Sequence, residues 1–164
     1  MRVLGIDPGT AITGYAVVEE TEGRLSLVTI GVVETPAKTP LPKRLQRIYS
    51  GLRSVVAEHV PDTAAVEELF FSRNTRTAMS VGEARGVVLL ALADAGLPIT
   101  EYTPMQIKQA VTGYGNADKR QVQEMVRLLL SLSDIPRPDD AADAAAVAIC
   151  CLHRFKLDGL LQER

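Results

Sequence analysis

The chain has no tryptophan, aromatic side chains make up only 4% of it, and cysteine occurs twice. The two cysteines, Cys150 and Cys151, are neighbours. Adjacent thiols provide neither a disulfide framework nor the spaced ligands of a zinc site, so the chain reads as a reduced, intracellular protein that folds without staples. With so few aromatics, the core must be built from Ala, Val, Leu and Ile. No apolar run approaches the ~20 residues that cross a bilayer; the uncharged stretches 86–93 and 144–152 both fall far short. The opening segment carries Asp7 where a signal peptide needs an apolar stretch. The expectation is a soluble, cytoplasmic protein without a membrane partner. A strong excess of either charge is also missing, since 18 Lys and Arg stand against 20 Asp and Glu, a net of −2. That excludes a histone-like polycation, but a DNA-binding protein needs only a local basic patch.

What is present is a globular composition, with 46% apolar and 23% charged residues. The 164 residues fit one domain, residues 1–164, with no room for a second of ordinary size. Residues 3–7 form a short apolar run that ends at Asp7-Pro8-Gly9, a strand followed by a turn. Residues 13–18 and 25–33 read as two further strands, joined by the hairpin dipeptide Glu22-Gly23. After a Pro-rich break at 36–42, Leu41, Leu45, Ile48, Leu52, Val55 and Val56 recur at helical spacing. A strand over 63–67, a helix over 77–95 and a strand over 98–102 follow. Thr103-Pro104 is an N-cap with Pro in the first turn. Helices over 119–132 and from Asp139 or Asp140 to about Phe155 complete an order of β-β-β-α-β-α-β-α-α-α. A meander followed by strand–helix alternation predicts an α/β protein with a mixed five-stranded sheet flanked by helices.

Charge is distributed unevenly along this pattern. Residues 36–57 carry Lys38, Lys43, Arg44, Arg47 and Arg53 and no acid. Arg73, Arg76 and Arg85 face a single acid within 72–92, and Lys108, Lys119, Arg120 and Arg127 cluster in 104–130. The last two groups flank loops, where a phosphate-facing role is expected.

Four carboxylates stand out by position. Asp7 and Glu67 each end an apolar strand, and Asp140 and Asp143 sit three apart on one face at the start of an Ala-rich helix. Asp139 could take the place of Asp140, because it is four residues from Asp143 and on the same side. Asp143 has no obvious business as a lone charge among Ala, Val, Ile and Cys. If these acids converge, each pair ~4 Å apart repels by about 4 kcal/mol at an effective dielectric of ~20. Such a cluster must take up protons or bind a divalent cation. All-oxygen ligands favour Mg²⁺ or Mn²⁺, and two such ions ~3.5–4 Å apart form the clamp used in phosphodiester cleavage.

Several segments, in order and covering residues 3 to about 155, resemble the RuvC-type Holliday junction resolvases. They are Leu4-Gly5-Ile6-Asp7-Pro8-Gly9-Thr10 with Thr13-Gly14-Tyr15, Ala65-Val66-Glu67-Glu68-Leu69-Phe70, Ala84-Arg85-Gly86-Val87, Lys108-Gln109-Ala110-Val111-Thr112-Gly113, residues 119–126, and Asp140-Ala141-Ala142-Asp143-Ala144. The resemblance implies an RNase H-like fold and a homodimer. It also implies a Mg²⁺-dependent endonuclease that resolves four-way DNA junctions by paired symmetric nicks in recombination and repair. By the same resemblance, Asp7, Glu67, Asp140 and Asp143 hold the metal ions and are catalytic with Lys108. Phe70 wedges into the junction, Lys119 is the second basic residue beside the active site, and a branch-migration helicase complex is an expected partner. Arg73, Arg76 and Arg120 complete the expected DNA contacts. Three other readings make different predictions. A non-cleaving junction-binding protein would bind without metal-dependent nicking. A related nuclease would act on RNA. An actin-like ATPase, suggested by Asp7-Pro8-Gly9-Thr10 alone, needs a second similar domain that this length does not hold.

Overall fold

The computed structural model describes residues 1–68 and 75–162, with side chains described except at 75–77 and 160–162. β1 (Arg2–Asp7), β2 (Ile12–Thr21) and β3 (Arg24–Glu34) form the expected antiparallel meander. Its hairpin turns on Glu22 and Gly23, with φ of 53° and 81°. Both are left-handed, as a two-residue turn between twisted strands requires. α1 (Leu41–His59) returns the chain to β4 (Thr63–Glu67), which lies parallel to β1. α2 (Thr75–Asp94) leads to β5 (Ile99–Tyr102), parallel to β4, and the strand order is β3-β2-β1-β4-β5. α3 (Pro104–Thr112), α4 (Lys119–Leu129) and α5 (Asp139–Gln162) follow. Capping boxes start two of them, Thr103 with Gln106 and Asp118 with Gln121.

Two helix ends differ from the sequence expectation. α4 stops at Leu129 rather than 132, because Ser131 turns left-handed (φ 54°) and the Leu132 N–H bonds back to the Arg127 carbonyl at 2.9 Å. α5 continues past Phe155 to Gln162, since Gly159 is the one poor helix former in that stretch and its surroundings are open.

Strand alternation sorts the core into two layers. Leu4, Ile6, Val17, Ala64 and Val66 point to one face and pack with Ile48 and Leu52 of α1 and Val88 and Leu92 of α2. Val3, Ala16, Val18 and Ala65 point to the other and pack against α3, α4 and the buried Ala-rich stretch of α5. Aliphatic side chains and alanine fill both layers, as the scarcity of aromatics demands.

Candidate active site

Pleat parity decides where the strand-end acids point. Asp7 follows Val3 and Gly5 on the α5 side of β1, and Glu67 follows Ala65 on the same side of β4. β1 and β4 are parallel neighbours with Ile6 opposite Val66, so the next residues, Asp7 and Glu67, emerge side by side where the strands end.

α5 reaches them because two glycines let it lie almost on the sheet. A Cβ on Gly5 would stand 2.2 Å from the Ala144 carbonyl oxygen, and one on Gly14 would stand 2.0 Å from that of Asp140. Ala141, Ala144, Ala145 and Ala148 present small side chains to the same contact and are fully buried. Only backbone and methyl groups separate the layers, so the first turns of α5 project into the space beyond the ends of β1 and β4. Asp143 is the one residue of the stretch 141–152 that is not fully buried. An isolated glycine in a strand is the sequence mark of such close approach, and here it is the missing clue to how the acids meet.

The electrostatics record the convergence. Burial, reinforced by the charges of Glu67, Asp143 and Asp140, pushes the Asp7 carboxyl up to about 8. A hydrogen bond between the two side chains adds to the rise at Asp7 and opposes it at Glu67, so of the pair Asp7 is the one that favours its protonated form. Burial and the Asp143 charge also raise Glu67, against the pull of Asp7, Lys108 and Lys119. Asp143 is raised chiefly by burial, with the Lys119 hydrogen bond opposing. Lys119 Nζ donates to Asp143 Oδ2 at 3.0 Å and stands 3.5 Å from Asp139. A cavity of about 190 Å³ opens among these groups, lined by Glu67, Lys108, Lys119 and Asp143. A larger groove of about 860 Å³ on the opposite face of α3 contains no carboxylate and is separate from this chemistry.

Asp140 adds its charge to Asp7, whereas Asp139 pairs with Arg137 at 3.0 Å, stands 3.5 Å from Lys119 and adds its charge to Asp143. Arg120 is exposed on α4 beside Lys119. Phe70 and Arg73 lie outside the described residues, and Arg76 is described only as backbone in the first turn of α2.

The donor set suits a hard divalent cation, because every converging ligand atom is a carboxylate oxygen. Among the described residues, no three His, Cys, Asp or Glu side chains stand close enough together to hold a metal ion as they are placed, so binding would have to draw the carboxylates together. Within the cleft the ammonium of Lys119 pairs with Asp143, and burial favours the neutral form of Asp7. A pH dependence follows for the metal-free protein. Asp7 has its folded-state pKa raised from 3.8 to about 8, so its contribution to stability is complete below the unfolded value and is lost as pH rises through about 8. Melting of the metal-free protein at a series of pH values should show this loss, and added divalent ion should raise the melting temperature more at pH 8 than at pH 5. Equal metal stabilisation at both values would refute the shared-cleft electrostatics.

A family model described as "Crossover junction endodeoxyribonuclease RuvC" matches residues 3–151. The crossover junction endodeoxyribonuclease RuvC of Chloroflexus aurantiacus is 62% identical over 150 residues, covering 92% of each chain. Among solved structures, Thermus thermophilus RuvC in complex with Holliday junction substrate superposes with a TM-score of 0.92 at 40% identity, covering 96% of each chain. The yeast mitochondrial Holliday junction resolvase Ydc2 matches with a TM-score of 0.65 at 15% identity, covering 93% of this chain and 79% of its own. At that identity it supports the fold alone, which is RNase H-like.

Proposed function

The chain belongs to the RuvC family of crossover junction endodeoxyribonucleases, and from that premise we propose that its carboxylate cleft is where the phosphodiester is cut. The protein is a metal-dependent endonuclease that resolves Holliday junctions. The observation that carries the assignment to this cleft is the convergence of Asp7, Glu67, Asp140 and Asp143 beyond the ends of two parallel strands.

In this reading the four carboxylates hold two Mg²⁺ ions, for which Mn²⁺ can substitute. When bound, such ions activate water and stabilise the leaving oxygen. As ligands Asp7 and Glu67 would both be ionised, so loading the site would release the proton that burial otherwise favours on Asp7. Lys108 and Lys119 line the cleft and place fixed positive charge where a phosphate gathers negative charge in the transition state. Lys119 has a second task, because it orients Asp143 through a direct hydrogen bond. Phe70, Arg73, Arg76 and Arg120 are assigned to the DNA.

Two symmetric nicks require two sites, so the working unit is a two-fold homodimer. α2 is apolar over most of its circumference and leaves Met79 and Leu90 exposed by 70% and 53%. That is more apolar surface than one packed face needs. A branch-migration helicase complex is the proposed second partner on the junction.

The test is a nicking assay on a synthetic four-way junction beside a linear duplex, with Mg²⁺, with Mn²⁺ and with EDTA. Paired symmetric nicks in the junction alone, lost in EDTA, are the expected result. Tight junction binding without cleavage in either metal would favour an architectural protein, and preferential cutting of an RNA–DNA hybrid would favour an RNA nuclease.

A further inference from the structure

The turn that follows Asp7 is held by two threonine hydroxyls, and a third reaches out of the turn. Gly9 is pressed against the Ile12 carbonyl, which a Cβ would meet at 2.2 Å. Thr13 Oγ1 closes the turn by donating to the Gly9 carbonyl at 2.7 Å. Thr35, at the end of β3, braces it from outside. Its hydroxyl donates to the Thr10 carbonyl at 2.5 Å and accepts from Arg44 Nε at 2.8 Å. The Thr10 side chain serves none of these internal contacts. It is buried, and its hydroxyl donates to the Ser80 main-chain carbonyl at 2.7 Å, with Ser80 Oγ 3.3 Å away.

That acceptor matters because it is backbone, within the second turn of α2. Ser80 is four residues beyond Arg76, about one helical turn. The Thr10–Ser80 bond therefore connects the turn bearing Asp7 to the beginning of the helix whose basic end is assigned to DNA. Their contact is between elements 70 residues apart in sequence.

We propose that Thr10 is a positioning residue, tying the Asp7 turn to the start of α2 and thereby fixing which phosphodiester of a bound strand meets the carboxylates. The proposal rests on the reading of the cleft as the cleavage site. A hydroxyl that merely fills space would affect stability. A hydroxyl that sets register affects where the strand is cut.

The experiment uses the full chain and single-turnover cleavage of preformed junction complexes, with nicks mapped at nucleotide resolution. Thr10→Val keeps the shape and removes the donor. Its junction affinity should stay within about twofold, while the cleavage rate falls by about 10- to 100-fold, the scale expected for a misplacement of an ångström, and nicks spread to neighbouring phosphodiesters. Thr10→Ser retains the hydroxyl and should restore both rate and nick position. Thr35→Val loosens the outer brace without touching the Thr10–Ser80 bond, and should lower the melting temperature with nick position unchanged. If Thr10→Val does not fold, Thr10→Ala removes the same donor and carries the same expectation. Wild-type rate and nick position in the donor-less variant would overturn the proposal, as would an equal defect in Thr10→Ser. A nick shift of the same size in Thr35→Val would do so too. Failure of the unaltered protein to cut would overturn the reading of the cleft and the proposal with it, whereas the other outcomes, seen beside a cutting unaltered protein, overturn the proposal alone.

Discussion

Asp7→Asn is expected to lower junction cleavage by at least about a thousandfold while junction binding persists. A metal site supplies several kcal/mol to a phosphodiester transition state, and ~4 kcal/mol corresponds to about 10³ in rate. Asp7 is the acid on which the others converge, since burial and then the charges of Glu67, Asp143 and Asp140 lift it to about 8. Asparagine keeps the size and one oxygen but loses the charge and the ability to share a proton with Glu67. The same change has an opposite effect on stability. Without metal, ionised Asp7 is unfavourable in the folded state, so at pH 8 and above the metal-free variant should melt higher than the unaltered protein. Addition of Mg²⁺ should then narrow or reverse that difference. Cleavage and melting measured on the same samples separate loss of the site from loss of the fold. Unchanged cleavage in Asp7→Asn would remove this residue from the site.

Gly14→Ala is expected to cost less activity than Asp7→Asn but to be much worse for stability. The added Cβ would meet the Asp140 carbonyl oxygen at 2.0 Å and its carbon at 2.5 Å. Both are backbone atoms, so no side-chain rotation relieves the contact and the start of α5 must lift from the sheet. Overpacking of this kind costs ~1–3 kcal/mol, and displacement of Asp140 and Asp143 by about an ångström costs ~100-fold in rate. Gly159→Ala is the matched control. It lies late in the same helix with nothing within 4 Å, so cleavage there should be unchanged. Urea denaturation and junction cleavage measure the two effects, and a Gly14→Ala protein with full stability would show that α5 does not need this close approach.

Much of this architecture is legible from residue chemistry that acts locally. Glu22-Gly23 can adopt the left-handed pair a hairpin needs, and it does. Thr103 and Pro104 mark a helix start that the structure reproduces with a full capping box. The 3.6-residue spacing of Leu41, Leu45, Ile48 and Leu52 marks a helix with one apolar face, and Ile48 and Leu52 are fully buried on it. Asp143 stood out in the same way, as a charge on an otherwise apolar helix. Helix ends were less legible where a residue other than glycine took the left-handed conformation, as at Ser131.

The sequence by itself therefore determined the element order, the mixed sheet and the set of acids from which a site could be made, because periodicity, capping and strand-end placement are properties of short segments. Its ordered motifs also pointed to the family. Only the tertiary structure decided which acids share the cleft. Asp139 and Asp140 are adjacent on a helix and about 100° apart around it, so which one meets Asp7 depends on the rotation of α5 against the sheet. Gly5 and Gly14 set that rotation by allowing the helix backbone to touch the strands. The same long-range packing brings Lys119 to Asp143 and Thr10 to Ser80, contacts across 24 and 70 residues that no local pattern specifies.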